Sequence, residues 1–180
     1  MRVFYALEFE SKDLDQIEMV QKELSTYCSS CRIMDKDSFH MTLCFIGEVN
    51  EERLDDLKGI MDSNTYTKET MIFDHIGFFK IRNKYLYYLG GKENNVLRKV
   101  SNGLKSGLDE KKIQRADTPF KPHITLLRNV KEMNDEKLNE LNDRLSKNPL
   151  KFNVYGIQLY KSNMDHTGSI YDVLYDTSKS

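Results

Sequence analysis

Two tetrapeptides, HMTL at residues 40–43 and HITL at 123–126, stand 83 residues apart in a chain of 180, and the order of elements around them repeats. In the first half, RVFYALEF (2–9) has the β-branched and aromatic content of a strand. Ser11 then stands as an N-cap before Leu14, Ile17, Val20 and Leu24, spaced as on one helix face. A second strand is expected over roughly 38–47. Asn50 caps a second helix, with Glu51 and Glu52 in its first turn and Leu54, Leu57 and Met61 on one side, before TMIFDHIGFFK returns to strand. From Tyr85 the sequence runs again as YLYYLGG, a helix with Val96, Leu97, Val100, Leu104 and Leu108, a basic mobile loop, and PFKPHITLLR. A helix with Met133, Leu138, Leu141 and Leu145, the stretch LKFNVYGIQLYKS and a last strand SIYDVLYD complete the chain. A period of about 80 residues is too long for a solenoid. The expectation is therefore one domain over 1–180, with repeat lobes near 1–80 and 81–180 packed as one unit and strand exchange between them left open.

The length is enough to bury about 70% of the unfolded surface without covalent staples. Charged residues make up 31% of the chain, yet 27 basic and 28 acidic side chains nearly cancel, so any contact with nucleic acid must come from a local patch. No apolar stretch approaches the roughly 18 residues of a membrane span, and the expected setting is soluble and cytoplasmic. Cys28, Cys31 and Cys44 are an odd number in a chain of this size, which argues against a disulfide framework. The CSSC spacing lacks a second such pair or a histidine pair to complete a zinc site.

Alternation along a strand puts His40 and Thr42 on one face, and His123 and Thr125 likewise, with Met41, Leu43, Ile124 and Leu126 facing inward. Two duplicated lobes facing each other would bring two imidazoles and two hydroxyls to one cleft. An imidazole with a pKa of about 6.5 serves as base or acid, so a pair supplies one of each on opposite sides of a phosphorus atom. The hydroxyls would donate to the non-bridging oxygens where charge builds. No dense cluster of carboxylates or histidines points to a divalent ion, and a strained five-membered cyclic phosphate needs less activation than an ordinary diester. The residues thus suit metal-free opening of a 2′,3′-cyclic ribose phosphate, with no cofactor.

With these motifs, their flanks HMTLCFIGEV and FKPHITLLR, the opening RVFYALEF and the closing LYKSNMDHTGSIYDVL, nearly the whole chain resembles the two-histidine (2H) phosphoesterases. Within them it is similar to the bacterial and archaeal LigT-like RNA 2′,3′-cyclic phosphodiesterases. The resemblance implies a bilobal, duplicated α+β fold, with two antiparallel sheets flanked by helices around a central groove. It implies hydrolysis of an RNA-terminal 2′,3′-cyclic phosphate to a 2′-phosphomonoester, with reverse 2′–5′ ligation in some members. It places the proton donor on His40, the acceptor on His123 and the phosphate-binding threonines on Thr42 and Thr125. The expected partner is an RNA end or related nucleotide; separately, no membrane contact and a monomer are expected. Where the family commonly has a small residue this chain has Leu127, which would narrow the groove. Arg128 matches a recurrent arginine, but strand parity sets it opposite His123 unless the strand ends or bulges first.

Lys121 shares the face of His123, and His166 lies in the turn MDHTGS near where the closing segment approaches the groove; both are candidate substrate contacts. His75 reads as a strand-end histidine, Phe39 as core, and Cys44, by parity, as groove lining. Lys111, Lys112 and Arg115 form a basic loop that either guides an RNA backbone or is simply solvated. Two rivals remain open: a nucleotide- or RNA-end-binding module without catalysis, and a phosphodiesterase of small cyclic nucleotides.

Overall fold

The structure, a computed structural model, describes residues 1–179. Its strands are β1 (Arg2–Leu7), β2 (Ser30–Ile33), β3 (Met41–Glu48), β4 (Glu69–Ile81), β5 (Lys84–Gly91), β6 (His123–Lys131), β7 (Leu150–Val154), β8 (Gln158–Asp165) and β9 (Gly168–Asp176). Its helices are α1 (Ser11–Ser25), α2 (Leu54–Asp62), α3 (Asn95–Glu110) and α4 (Asp135–Lys147). The strands form an antiparallel sheet in the order β3-β1-β8-β9 and a second in the order β2-β6-β5-β4-β7. The α+β fold with two antiparallel sheets agrees with the sequence reading.

Each sheet draws on both halves of the sequence. The C-terminal hairpin of β8 and β9 completes the sheet begun by β1 and β3, while β2 and β4 join β5 and β6. The helices cross over too. α1 packs behind β2 and β6, and α3 packs behind β3. Burial of Ile17, Gln21 and Leu24 on α1, and of Leu97, Val100, Ser101, Leu104 and Leu108 on α3, follows the helical spacing of those residues.

One contiguous core joins the two sheets and four helices. Part of the junction is a cluster of three buried aromatic rings: Phe9, just beyond β1, meets Phe73 of β4 and Phe152 of β7 edge-on, with centroids 6.0 and 5.8 Å away, and Phe73 and Phe152 lie 5.6 Å apart.

Some local expectations change. Ser11 is the first helical residue, and Glu10 holds the cap position without a side-chain cap bond. Met133 precedes α4, whose N-cap is Asn134, accepting from the Lys137 N–H. The stretch LKFNVYGIQLYKS divides into β7 and β8, which enter different sheets. Gly156, at φ +65°, makes the turn between them, where a side chain would meet the backbone of Ser178. β2 has no clear pattern in the sequence. It is a short strand, mostly exposed, held by pairing with β6. Among the described residues no helix is long and apolar enough to cross a membrane.

Candidate active site

The two His-x-Thr-Leu strands carry the same irregularity. In β3, Thr42 pairs with Ala6 and Cys44 with Tyr5, leaving Leu43 as an extra residue; in β6, Thr125 pairs with Tyr88 and Leu127 with Tyr87, leaving Leu126 extra. Each is a bulge, and the next residues change face. Leu43 and Cys44 are both buried, as are Leu126 and Leu127, and the residue after each pair, Phe45 or Arg128, turns toward the opposite side.

A bulge leaves backbone groups without ladder partners, and buried ones must be satisfied. The Leu43 carbonyl accepts from Ser101 Oγ of α3 at 2.7 Å, and the Leu126 carbonyl accepts from Gln21 Nε2 of α1 at 2.9 Å as well as from the Met34 N–H at 3.2 Å. Gln21 and Ser101, buried polar residues on otherwise apolar helix faces, thus hold the two matching kinks.

These kinks settle three positions that simple alternation misplaces. Cys44 belongs to the core rather than the groove, and burial pushes its thiol pKa up to about 11. Leu127 is fully buried and does not narrow the groove. Arg128, assigned by parity to the far face, lines the same cavity as His123.

That cavity, about 550 Å³, lies between the sheets and is lined by His40, Thr42 and Phe45 from β3 and by His123, Thr125 and Arg128 from β6. Further walls come from Arg2 and Phe4 of β1, Arg32 of β2, Phe79 of β4, and Ser162, Met164, Ser169 and Tyr171 of the β8–β9 hairpin. Neither threonine hydroxyl has a protein hydrogen-bond partner among the described residues, so both are free to meet a ligand.

Both imidazoles are held alike. His40 Nδ1 lies 2.8 Å from the Ser38 carbonyl and His123 Nδ1 2.7 Å from the Lys121 carbonyl. A carbonyl oxygen only accepts, so each Nδ1 carries the proton and each Nε2 is left for chemistry. Rings fix their planes: His40 sits 5.0 Å from both Phe4 and Tyr171, and His123 lies 5.5 Å from Phe79 and 5.4 Å from Tyr88, both edge-on. Burial lowers the His40 pKa to about 4, with His123 and Arg128 adding to the effect against the Ser38 carbonyl. Burial also lowers that of His123, assisted by Lys121 and Arg128. Both shifts favour the neutral imidazole near neutral pH.

Other candidates fall elsewhere. Lys121 is exposed, its Nζ 4.9 and 5.2 Å from the Phe79 and Tyr88 ring centroids, and it is not among the cavity's walls. Its carbonyl accepts from His123 Nδ1, and its charge adds to the lowering of the His123 pKa. His166 is exposed in the β8–β9 turn, also outside the cavity, and the hairpin residues that line the cavity are instead Ser162, Met164, Ser169 and Tyr171. His75 packs over Gly90, where a Cβ would fall 2.2 Å from its Nε2, and its Nδ1 lies 2.7 Å from Asp74. The loop before β6 is anchored rather than mobile: Arg115 is bound by Asp109 and Asp117, Lys111 by Asp56, and the Ala116 N–H donates to the Phe45 carbonyl. Cys28 and Cys31 are free, half-buried thiols. Among the described residues no group of three or more His, Cys, Asp or Glu side chains is arranged to hold a metal ion.

Among the walls that sequence reasoning missed, Arg2 and Phe4, and Ser169 and Tyr171, do alternate along their strands. The signal was present, but which face meets the histidines depends on β8 and β9 joining β1, a pairing no local pattern reports.

A family described as LigT like Phosphoesterase matches residues 9–87 and 91–171. The curated RNA 2′,3′-cyclic phosphodiesterase of Archaeoglobus fulgidus is 27% identical over 172 residues, covering 95% of this chain and 96% of that protein. The protein of the same description from Methanocaldococcus jannaschii is 27% identical over 179 residues, covering 97% and 98%. Among solved structures, E. coli LigT complexed with 3′-AMP superposes with a TM-score of 0.75 at 22% identity, covering 97% and 95% of the two chains. A protein of Thermus thermophilus superposes at 0.77 with 23% identity, covering 98% and 96%. These superpositions carry the duplicated fold.

Proposed function

The chain belongs to the LigT-like phosphoesterase family, and on that basis we propose that it hydrolyses the 2′,3′-cyclic phosphate at an RNA end to a 2′-phosphomonoester, with His40 and His123 as acid and base. The observation that carries this reading is the matched pair of half-sites, each a histidine with Nδ1 tied to a carbonyl, a threonine with a free hydroxyl and a bulge, opening on one cavity. The names of the curated relatives support the substrate class.

In this mechanism the oxygen of a water bonds to phosphorus while its proton passes to His123 Nε2. The bond from phosphorus to the ribose 3′ oxygen breaks, and that oxygen takes a proton from His40 Nε2. Thr42 and Thr125 donate to the non-bridging oxygens, and Arg128 adds a positive charge where negative charge accumulates. The acid must begin protonated, which its burial disfavours. An incoming phosphate anion reverses this, because a negative charge beside an imidazole raises its pKa.

The pH dependence follows in sign. The ratio kcat/KM reports the free protein's acid and base, and both imidazoles titrate below the ordinary histidine value, His40 near 4. A bell with its maximum on the acid side of about pH 6.5, the unperturbed imidazole pKa, is therefore expected for kcat/KM, with the kcat bell displaced upward by the bound anion. Initial rates across the acid and neutral range on a cyclic-phosphate-terminated oligoribonucleotide test this; a kcat/KM maximum at neutral pH or above would rule out these two groups as the titrating pair.

A further inference from the structure

The arginines divide into two groups. Arg53, Arg98, Arg115 and Arg144 are each paired with a carboxylate and lie away from the groove. Among the described residues, Arg2, Arg32, Arg82 and Arg128 form no ion pair with a carboxylate, and all four are on one continuous surface. Arg2, Arg32 and Arg128 line the groove. Arg128 also lines a second cavity of about 530 Å³ with Arg82 and Lys84 of the β4–β5 turn. A third, of about 380 Å³, runs on from Lys84 to Lys131 and back to Arg32. The three cavities share walls, so the groove opens over the β4–β5 turn onto a lane of cations that, among the described residues, form no salt bridge, Arg32 alone lying within electrostatic reach of a carboxylate, Asp165. In a chain of net charge −1, that concentration is local. Such guanidinium groups are suited to paired contacts with phosphate oxygens.

The bulge architecture explains why the lane begins at the site. A second irregularity in β6, where Arg32 pairs with Arg128 but Ser30 pairs with Lys131, places Asn129 at φ +53° and turns the strand end outward beside the β4–β5 turn. Arg82, at φ +57°, is at the tip of that turn and exposed.

We propose that this lane binds the single-stranded RNA on the 5′ side of the reacting end, making the protein selective for oligonucleotides over mononucleotides. This inference rests on the function proposed above. A cyclic phosphate occupies both the 2′ and 3′ oxygens of the last ribose, so the rest of the strand leaves through its 5′ oxygen. With the cyclic phosphate between His40 and His123, the strand passes Arg128 and Arg32, and its next phosphates reach Arg82 and Lys84.

The test uses equilibrium binding of ends that are already hydrolysed: a labelled decaribonucleotide with a 2′-phosphate terminus and the matching nucleoside 2′-phosphate. The wild-type protein should bind the oligomer at least about tenfold more tightly, with a salt slope near −0.7 for each phosphate contacted. The double variant Arg82→Asn, Lys84→Gln, chosen because asparagine tolerates positive φ, should cut the oligomer-to-nucleotide affinity ratio by about tenfold and flatten the salt slope by about 0.7–1.4. Equal wild-type affinity for the two ligands, equal weakening of both by the variant, or an unchanged slope would overturn the proposal. Because no turnover is required, failure of the wild-type protein to open a cyclic phosphate would count against the catalytic reading alone.

Discussion

Replacing His40 or His123 with alanine is expected to lower turnover of a cyclic-phosphate-terminated RNA by about 10²–10⁴-fold, the range that a positioned acid or base contributes. The two losses should not multiply. Once one proton transfer is missing the other has little to assist, so the double variant should resemble the less active single variant, as for groups that act as a unit. Binding should change far less, because Thr42, Thr125 and Arg128 remain in the cavity. His40 also fills space between Phe4 and Tyr171, so His40→Gln is the necessary companion, keeping volume while losing the acid. If either histidine variant, shown by thermal denaturation to be folded, kept more than about a tenth of wild-type turnover, an acid or base role worth at least about 10²-fold would be untenable for that residue.

The second large effect concerns the ring cluster that forms part of the junction between the two sheets. Phe73 is fully buried between Phe9 and Phe152. Truncating a buried phenylalanine removes apolar contact and leaves a cavity that its neighbours fill only in part. Phe73→Ala is thus expected to cost about 3–5 kcal/mol in urea unfolding. Because Phe9 follows the strand that pairs with β3, while Phe73 and Phe152 lie in the sheet that carries His123, the variant should also lose turnover when folded. A cost below about 1 kcal/mol, no more than a mild volume-conserving core swap, would show that the ring cluster is not what joins the sheets.

Much of the candidate site was legible because it is local: His40 with Thr42 and His123 with Thr125 on one cavity follow from strand periodicity, and their pairing from the repeat. What local periodicity could not supply is the bulge. Two consecutive buried residues, Leu43–Cys44 and Leu126–Leu127, break the alternation, and from there a strict period of two misassigns Cys44, Leu127 and Arg128. The adjacent leucines of HITLLR are a trace of it in hindsight, but TLCF gives an equally apolar run with no such mark. Nor could the sequence place β2, whose few residues take strand geometry only by pairing with β6, or divide β7 from β8, since their different sheets are a matter of long-range contact. Arg115 and Arg82 make the same point for charge. Both sit in basic surroundings in the sequence, yet Arg115 is neutralised by Asp109 and Asp117 while Arg82 stands open. Only the packed structure distinguishes them.

The most direct test of two histidines working on a cyclic phosphate is product analysis with wild-type protein. A decaribonucleotide ending in a 2′,3′-cyclic phosphate is incubated with and without EDTA, and the terminal phosphate is located by its susceptibility to enzymes specific for each isomer. Complete conversion to the 2′-phosphate, undiminished by chelator and absent from the His40→Gln and His123→Ala variants, is expected. A 3′-phosphate or a mixture of both, loss of turnover in EDTA, or no product from correctly folded protein would contradict it.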